Sequence, residues 1–500
     1  MAQYVAGFDN GGTMIKAAIF DLEGRQIAAK GRHTPILTPK PGWTERNSEE
    51  LWLHNCACMK EAVESAGIDA GDIIGVSVCG HGKGLYTWGK DGKSAYNGIV
   101  STDGRAWEYP EKWYAAGIPQ RFAERLCQRI LASQQISLLA WLKDNDRAAY
   151  NNIQWVFSVK DYIRFRLTGE AFSEATDFSG SGLMNIRDAR FDRDMLEAFG
   201  IGEVYDNLAP VKYSSERCGV VTGQAAKLCG LREGTPVAGG MFDIDSCAVA
   251  MDVTTPDEFC TIAGTWSINE YISRQPVTST PFMNSLFAIP GYYLVEECSA
   301  TSAGNLDWFM ERFVNDCEIP AGKKRYEYFD AEVDKIPPEA SDVFFLPFIN
   351  GSNDNPLGRG SLIGLSAYHE KIHCIRAIYE GVAFSHKTHI ERLLKTRPAP
   401  KAIRMAGGAV NSAVWVQMFA DVLGLPIETV DAPELGALGC SMSAAIAAGV
   451  FKDYREAARA MVRIKKRVEP NPARTGIYAK KYEKYTALRL ALEPVWGIFK

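Results

Sequence analysis

The chain has 500 residues, 46% of them hydrophobic and 23% charged, with a formal net charge of −5 and 12 cysteines. That length exceeds one ordinary core, so two domains are expected; the acidic balance argues against nucleic acid as a partner, because phosphate contacts need a basic surface. The N-terminus has no basic and apolar signal-peptide regions, no apolar run reaches the ~18 residues of a membrane span, and the scattered thiols form no C-x-x-C pair, so a cytoplasmic protein with reduced cysteines is expected.

The opening YVAGFDNGGTMIKAAIF reads as two strands around a glycine turn, with Ile15, Ala17 and Ile19 in strict alternation. Asp21–Gly24 makes the next turn. The stretch SEELWLHNCACMKEAVESAG predicts a helix capped by Ser48 and ended by Gly67, and DIIGVSVCG a buried strand. A similar grammar restarts near residue 236. PVAGGMFDIDS runs from a strand into a glycine turn, and FCTIAGTWSINEYIS is again strand, turn, strand. A long helix follows around HEKIHCIRAIYEGVAFSHKTHIERLL, then strand–turn–helix at AIRMAGGAVNSAVWVQMFADVLG. The chain closes with a Gly/Ala-rich helix, ELGALGCSMSAAIAAGV, and a basic helical tail carrying Lys465, Lys466, Arg467, Lys480 and Lys481. Two glycine-turn hairpins, each opening an α/β half with a mixed sheet, predict a duplicated architecture with domains at 1–249 and 250–500.

Two kinds of chemistry compete. HEKIH at 369–373 matches H-E-x-x-H, in which two histidines on one helix face hold zinc and the glutamate activates water. The extended form would need Gly at 376 and His at 379, where this chain has Arg376 and Tyr379, and the apolar face of Ile372, Ile375, Ile378 and Val382 reads as packing. A zinc metallopeptidase is therefore the remote alternative. Against it stands Asp9-Asn10-Gly11-Gly12-Thr13, whose glycine amides can line a concavity for phosphate while Asp9 holds Mg²⁺ and Lys16 adds a cation. Gly264-Thr265-Trp266-Ser267 repeats the idea, and Gly407-Gly408-Ala409-Val410-Asn411 joins a strand to a helix where an anion or purine fits. No P-loop motif occurs.

In this order, GFDNGGTMIKA, PGWTERNSEELW, STDGRA, SVKDYIRFRLTGE, SEATDFSGSGLMNI, GGMFDIDS, AGTWS, GLSAYHEKIHCIRAIYEGVAFS, AGGAVNSAVWVQMFADVLGLPI and ELGALGCSMSAA make the chain resemble the FGGY carbohydrate kinases along nearly its whole length. GGT-x-x-K-A, GKGL at 82–85 and IYEGVAFSHKTH bring it nearest the L-xylulose kinase type. The resemblance implies two RNase H-like domains of the actin, hexokinase and Hsp70 superfold around a deep cleft that closes on the substrate. It implies ATP and Mg²⁺, a small sugar as partner, and a homodimer as a common state. Asp243 would be the general base, with Mg²⁺ near Asp9 and Asp243. Gly11, Gly12, Thr13, Lys16, Gly264 and Thr265 would hold phosphates, Gly407, Gly408 and Asn411 the nucleotide, and Glu434 to Gly439 an adenosine wall. His81 and Asp103 would contact sugar hydroxyls. The substrate expected first is L-xylulose, with D-xylulose, L-fuculose, erythritol, gluconate and glycerol as alternatives; an actin-like ATPase is a third reading of the same superfold. Gly12 stands where the family usually has Thr, and Val78 and Cys79 depart from its usual sugar loop. The bland readings are a turn histidine at 81, a surface ion pair of Asp103 with Arg105, and Trp43 as core packing. Asp245, the rival base, would point away from Asp243 by strand alternation.

Overall fold

The computed structural model describes residues 2–279, 283–315, 317, 319–352, 354–355 and 357–499. They cluster into two compact units. Unit 1 comprises residues 1–254, 272–295 and 432–462, and unit 2 comprises 255–271, 296–431 and 463–500. The strands used below are β1 (Tyr4–Asn10), β2 (Met14–Asp21), β3 (Gln26–His33), β4 (Ile73–Gly80), β5 (Arg217–Val220), β6 (Pro236–Ala238), β7 (Met241–Phe242), β8 (Cys260–Ala263), β9 (Ser267–Ser273), β10 (Tyr293–Ser299), β11 (Ile403–Ala406), β12 (Ile427–Val430) and β13 (Ile464–Val468). The helices are α1 (Ser48–Ala66), α2 (Val159–Thr168), α3 (Asp243–Ala250), α4 (Lys371–Leu393), α5 (Ala413–Leu423), α6 (Leu435–Ala447) and α7 (Pro472–Leu492).

In unit 1 the sheet runs β5–β6–β4–β1–β2–β3, with β7 also paired to β4. The β1–β2 hairpin is antiparallel, whereas β1, β6 and β7 run parallel to β4. Alternation explains the packing: Ala6 and Phe8 of β1 and Ile15, Ala17 and Ile19 of β2 are buried against Leu51, Trp52 and Met59 of α1. Each large apolar side chain so buried contributes about 1.5–3 kcal/mol. The cap of α1 is Asn47 rather than Ser48, its side chain accepting from the Glu49 and Glu50 amides at 3.0 and 2.9 Å. The other face carries α6 at very short range. A Cβ on Gly7 would stand 2.3 Å from the Ala437 carbonyl oxygen, and one on Gly439 1.9 Å from that of Ser246. Small residues in ELGALGCSMSAA are therefore contact surface as well as helix formers.

In unit 2 the order β10–β9–β8–β11–β12–β13 repeats the pattern, an antiparallel hairpin (β8–β9) with a parallel neighbour (β11). The tail departs from the expected solvated helix. Lys465, Lys466 and Arg467 lie on the exposed edge strand β13, where charge deters further strand pairing. Lys481 is 4% exposed on α7, its ammonium 2.5 Å from Glu380 and donating to the carbonyls of Pro338 and Ser341.

HEKIH is not a helix face. α4 begins at Lys371, so His369 precedes it, and Glu370 and His373 form a capping box in which the Glu370 amide donates to His373 Nδ1 at 3.0 Å. His369 Nδ1 accepts from the Ser366 amide at 2.9 Å. Among the described residues, no helix is long and apolar enough to cross a membrane.

Candidate active site

In unit 1 three segments leave the sheet at one level. Asp9 pairs with Cys79 and Asn10 with Gly80, while Met241 and Phe242 pair with the same Cys79 and Gly80. The next residues along these strands are Gly11, His81 and Asp243. The contact is close on the β7 side, since a Cβ on Gly82 would stand 2.5 Å from the Phe242 ring. Carboxyl ends of parallel strands are where open α/β sheets bind ligands.

Asp9 is partly exposed at the end of β1, opposite Lys16 on β2. Burial pushes its carboxyl up to about 6, against the pull of the Lys16 ammonium. Lys16 itself is bound 2.7 Å from Glu434 Oε2. Burial opposes its charge, yet Glu434 and Asp9 together hold the ammonium above its ordinary range. Glu434, expected along an adenosine wall, thus faces the first hairpin at the start of α6. Gly436 follows, so close that a Cβ there would lie 2.5 Å from Asp9 Oδ2.

The turn is held from beneath by Arg46, wholly buried, whose guanidinium donates to the Gly11 carbonyl at 3.2 Å and to the Gly12 carbonyl. In a trans peptide the following N–H points opposite to the carbonyl. The amides of Gly12 and Thr13 are accordingly directed away from Arg46. A Cβ on Gly12 would meet nothing within 4 Å, so the threonine that the family usually places there has room.

His81 is 5% exposed, with Nδ1 3.2 Å from the Gly82 carbonyl and Nε2 3.4 Å from the Tyr86 hydroxyl. A carbonyl only accepts, which assigns the proton to Nδ1. Burial and then the Arg46 charge lower its pKa to about 4, so the ring is a neutral hydrogen-bonding group. Asp103 is 2% exposed, and both of its oxygens are engaged: Oδ1 by the Arg105 amide and Nε, each at 2.9 Å, and Oδ2 by the Thr44 amide at 2.6 Å and an Arg105 terminal nitrogen at 2.8 Å. The Asp103–Arg105 pair is buried, and it clamps the segment that carries Arg46. Trp43 is part of that clamp: the Arg105 guanidinium lies 4.2 Å from its ring centroid, and Trp141 packs edge-on at 5.0 Å.

Asp243 opens α3 and is partly exposed, while Asp245 is fully buried. The two do point apart, but on a helix, where two residues turn about 200°, not by strand alternation.

In unit 2, Ile262 of β8 pairs with Ala406 of β11, so the Gly264 turn and Gly407 leave the sheet side by side. A Cβ on Gly407, at φ +93°, would stand 2.5 Å from the Ala263 carbonyl, which restricts the position to glycine. Thr265, Gly408 and Asn411 are exposed. Under the β8–β9 turn lies His386 of α4, fully buried. Its Nδ1 is 2.8 Å from Asn269 Oδ1 and 3.0 Å from Thr261 Oγ1, and its Nε2 2.8 Å from Ser302 Oγ. Burial and then His389 lower its pKa to about 3. Arg46 and His386 were not picked out by sequence reasoning. The signal for Arg46 was its place in PGWTER; for His386 nothing local marks it.

The FGGY N-terminal domain matches residues 4–250 and the FGGY C-terminal domain residues 260–448. An L-xylulose/3-keto-L-gulonate kinase of Escherichia coli is 34% identical over 99% of this chain and 98% of its own. A probable L-xylulose kinase of Pasteurella multocida is 33% identical over 98% and 99%. Among solved structures, a xylulose kinase from Rhodospirillum rubrum superposes with a TM-score of 0.86 at 26% identity, over 99% of this chain and all of that one. With both family domains matched in order, the chain belongs to the FGGY family of carbohydrate kinases, ATP-dependent sugar kinases.

Proposed function

We propose that this kinase transfers the γ-phosphoryl group of ATP to a hydroxyl of a small ketose, L-xylulose first among them, with Asp243 as general base. The observation that carries the reading is the shared level at which Asp243, His81 and Gly11 leave neighbouring strands, two residues beyond Asp9 and its partners. The activities after which the Escherichia coli and Pasteurella multocida relatives are named support the sugar.

On this reading the Asp243 carboxylate accepts the proton of the sugar hydroxyl as its oxygen forms the new P–O bond, and ADP leaves with the bridging oxygen. Neutral His81 orients another hydroxyl. The amides of Gly12 and Thr13 receive phosphate oxygens, and Lys16 exchanges Glu434 for phosphate. In unit 2 the turns at Gly264-Thr265 and Gly407-Gly408, with Asn411, take the nucleotide. Asp9 fits Mg²⁺: it is a hard oxygen donor, and a carboxyl pushed up to about 6 is one short of positive compensation. Bound there, the ion would offset phosphate charge.

The test is sugar-dependent ADP release across L-xylulose, 3-keto-L-gulonate, D-xylulose, L-fuculose, erythritol, gluconate and glycerol. L-Xylulose should give the highest kcat/KM, and Asp243→Asn should lose about 10²–10⁴-fold in kcat. A panel on which L-xylulose gives no turnover, or an Asn variant with full turnover, sinks the corresponding half of the proposal.

A further inference from the structure

Behind the strand β7 lies a set of charged side chains that the reaction itself does not use. Lys160, Asp161, Arg164 and Glu174 are fully buried, and Asp177 is 1% exposed. The Lys160 ammonium is 3.0 Å from Asp161, 3.2 Å from Glu174 and 3.8 Å from Asp177; Arg164 is 2.6 Å from Asp161. Taking such groups out of water costs several kcal/mol per ion, and a well-packed apolar cluster of equal volume is often no less stable. What an apolar cluster lacks is direction, and several directional bonds of this one reach a single turn, while Arg164 also donates to the Phe172 carbonyl.

That target is the turn at Gly239–Phe242 that presents Asp243. Arg164 donates to the Gly239 carbonyl at 2.5 Å. The Gly240 amide donates to the Ser214 carbonyl at 3.1 Å. The Phe242 amide donates to Thr176 Oγ1 at 2.9 Å. Each holder is in turn held. Thr176 Oγ1 donates to Glu174 Oε2 at 2.7 Å, which fixes the hydroxyl so that its lone pairs face Phe242. Ser214 Oγ donates to Glu174 Oε1 at 2.8 Å, and Lys160 neutralises both Glu174 and Asp161. The turn has no slack of its own: a Cβ on Gly240, at φ +83°, would stand 2.1 Å from the Val78 carbonyl oxygen.

We propose that Thr176 and Arg164 are positioning residues for Asp243, pinning the two ends of its turn so that the carboxylate is held where the sugar hydroxyl arrives. The inference rests on the reading of Asp243 as the base. Neither residue touches substrate; each acts through one backbone atom within four residues of Asp243. The bonds come from the elements α2 and 173–177, which explains in physical terms why SVKDYIRFR and SEATDF belong to the same site as GGMFD.

The test is a double-mutant cycle on the full-length enzyme. Thr176→Val keeps the shape and removes both the acceptor for the Phe242 amide and the donor to Glu174; Thr176→Ser keeps both. Thr176→Val should lower kcat by about 10- to 100-fold, the scale of a misplaced catalytic group, with KM for ATP and sugar-independent ATP hydrolysis unchanged. Thr176→Ser should stay near the parent. In an Asp243→Asn background, Thr176→Val should cost nothing further, because the two act as a unit. Should the Val variant fail to fold by thermal melting, Thr176→Cys against Thr176→Ser carries the same comparison. A folded Val or Cys variant with parental kcat, or an undiminished loss in the Asn background, overturns the inference while leaving Asp243 in place. An Asp243→Asn enzyme with full turnover overturns the base assignment, and this inference with it.

Discussion

Gly436→Ala separates the geometry of the first hairpin from the stability of its scaffold. Near the start of a helix, alanine is favoured over glycine by up to about 1 kcal/mol, so α6 should not suffer. The new Cβ, however, would lie 2.5 Å from Asp9 Oδ2 and 2.9 Å from its Cγ, where unbonded carbon and oxygen need about 3.4 Å or more. The helix is itself closely packed against α3, where a Cβ on Gly439 would stand 1.9 Å from the Ser246 carbonyl. The Asp9 carboxyl must therefore move by about 1 Å, and a displacement of that size in a reacting assembly costs about 10²-fold. The assay is coupled ADP release with ATP and Mg²⁺ varied at saturating sugar, beside a thermal melt. The expected result is a fall of about 10–100-fold in kcat/KM for ATP with an unchanged or higher Tm. The parent's kcat/KM for ATP should also fall as pH drops below about 6, where Asp9 takes up a proton. A folded Ala variant within about threefold of the parent, less than 1 kcal/mol on the same scale, would refute the claim that Asp9 must stand where it does.

Asp177→Asn tests the buried cluster. Burial raises this carboxyl to about 7, against the pull of Lys160. The folded protein thus holds the proton more tightly than the unfolded chain, so this group's contribution is present at pH 4 and lost as pH rises through 7. The Asn variant should lose that slope and be more stable than the parent at pH 8 by roughly 2–4 kcal/mol; urea melts at pH 5 and 8 with parallel parent and variant changes would rule it out. Glu370→Ala should cost about 1 kcal/mol through the lost helix cap and leave kcat alone, and elemental analysis of the parent should find no stoichiometric zinc; a metal-dependent loss of activity in this variant would revive the protease reading. Gly12→Thr has open space for its side chain and should lower KM for ATP by adding a hydroxyl to the phosphate turn. An unchanged KM would show that the backbone amides alone do that work.

The periodic parts of the fold were legible. Alternation in β1 and β2, the glycine turns, and the spacing of Leu51, Trp52, Cys56 and Met59 on α1 all follow from local chemistry. So were the glycines at strand ends such as Gly407, where close backbone approach leaves no room for a Cβ. What escaped was long-range. Arg46 reaches the hairpin from 34 and 35 residues away, and Lys16 meets Glu434 across 418. The basic tail misled for the same reason: Lys481 looks like any solvated lysine until Glu380, 101 residues earlier, arrives beside it. HEKIH shows the converse, a motif whose meaning depended on where a helix begins. Two residues' difference in that start turns a metal-binding face into a cap.

The two hairpins solve one problem in different ways, and the difference predicts how each answers to pH. On the proposed function both need a glycine turn held rigid from beneath, since a floppy turn would lose the entropy of ordering on binding phosphate. Unit 1 uses a buried guanidinium on the turn carbonyls, which places a cation beneath the turn. Unit 2 uses His386, whose bonds to Asn269, Thr261 and Ser302 need only the neutral ring. Burial and then His389 lower its pKa to about 3, so the ring is neutral near pH 7. A histidine under a phosphate turn would ordinarily invite an acid-dependent account of nucleotide binding. Here burial removes that account. The acid limb expected for ATP falls instead to Asp9, whose burial outweighs the neighbouring ammonium.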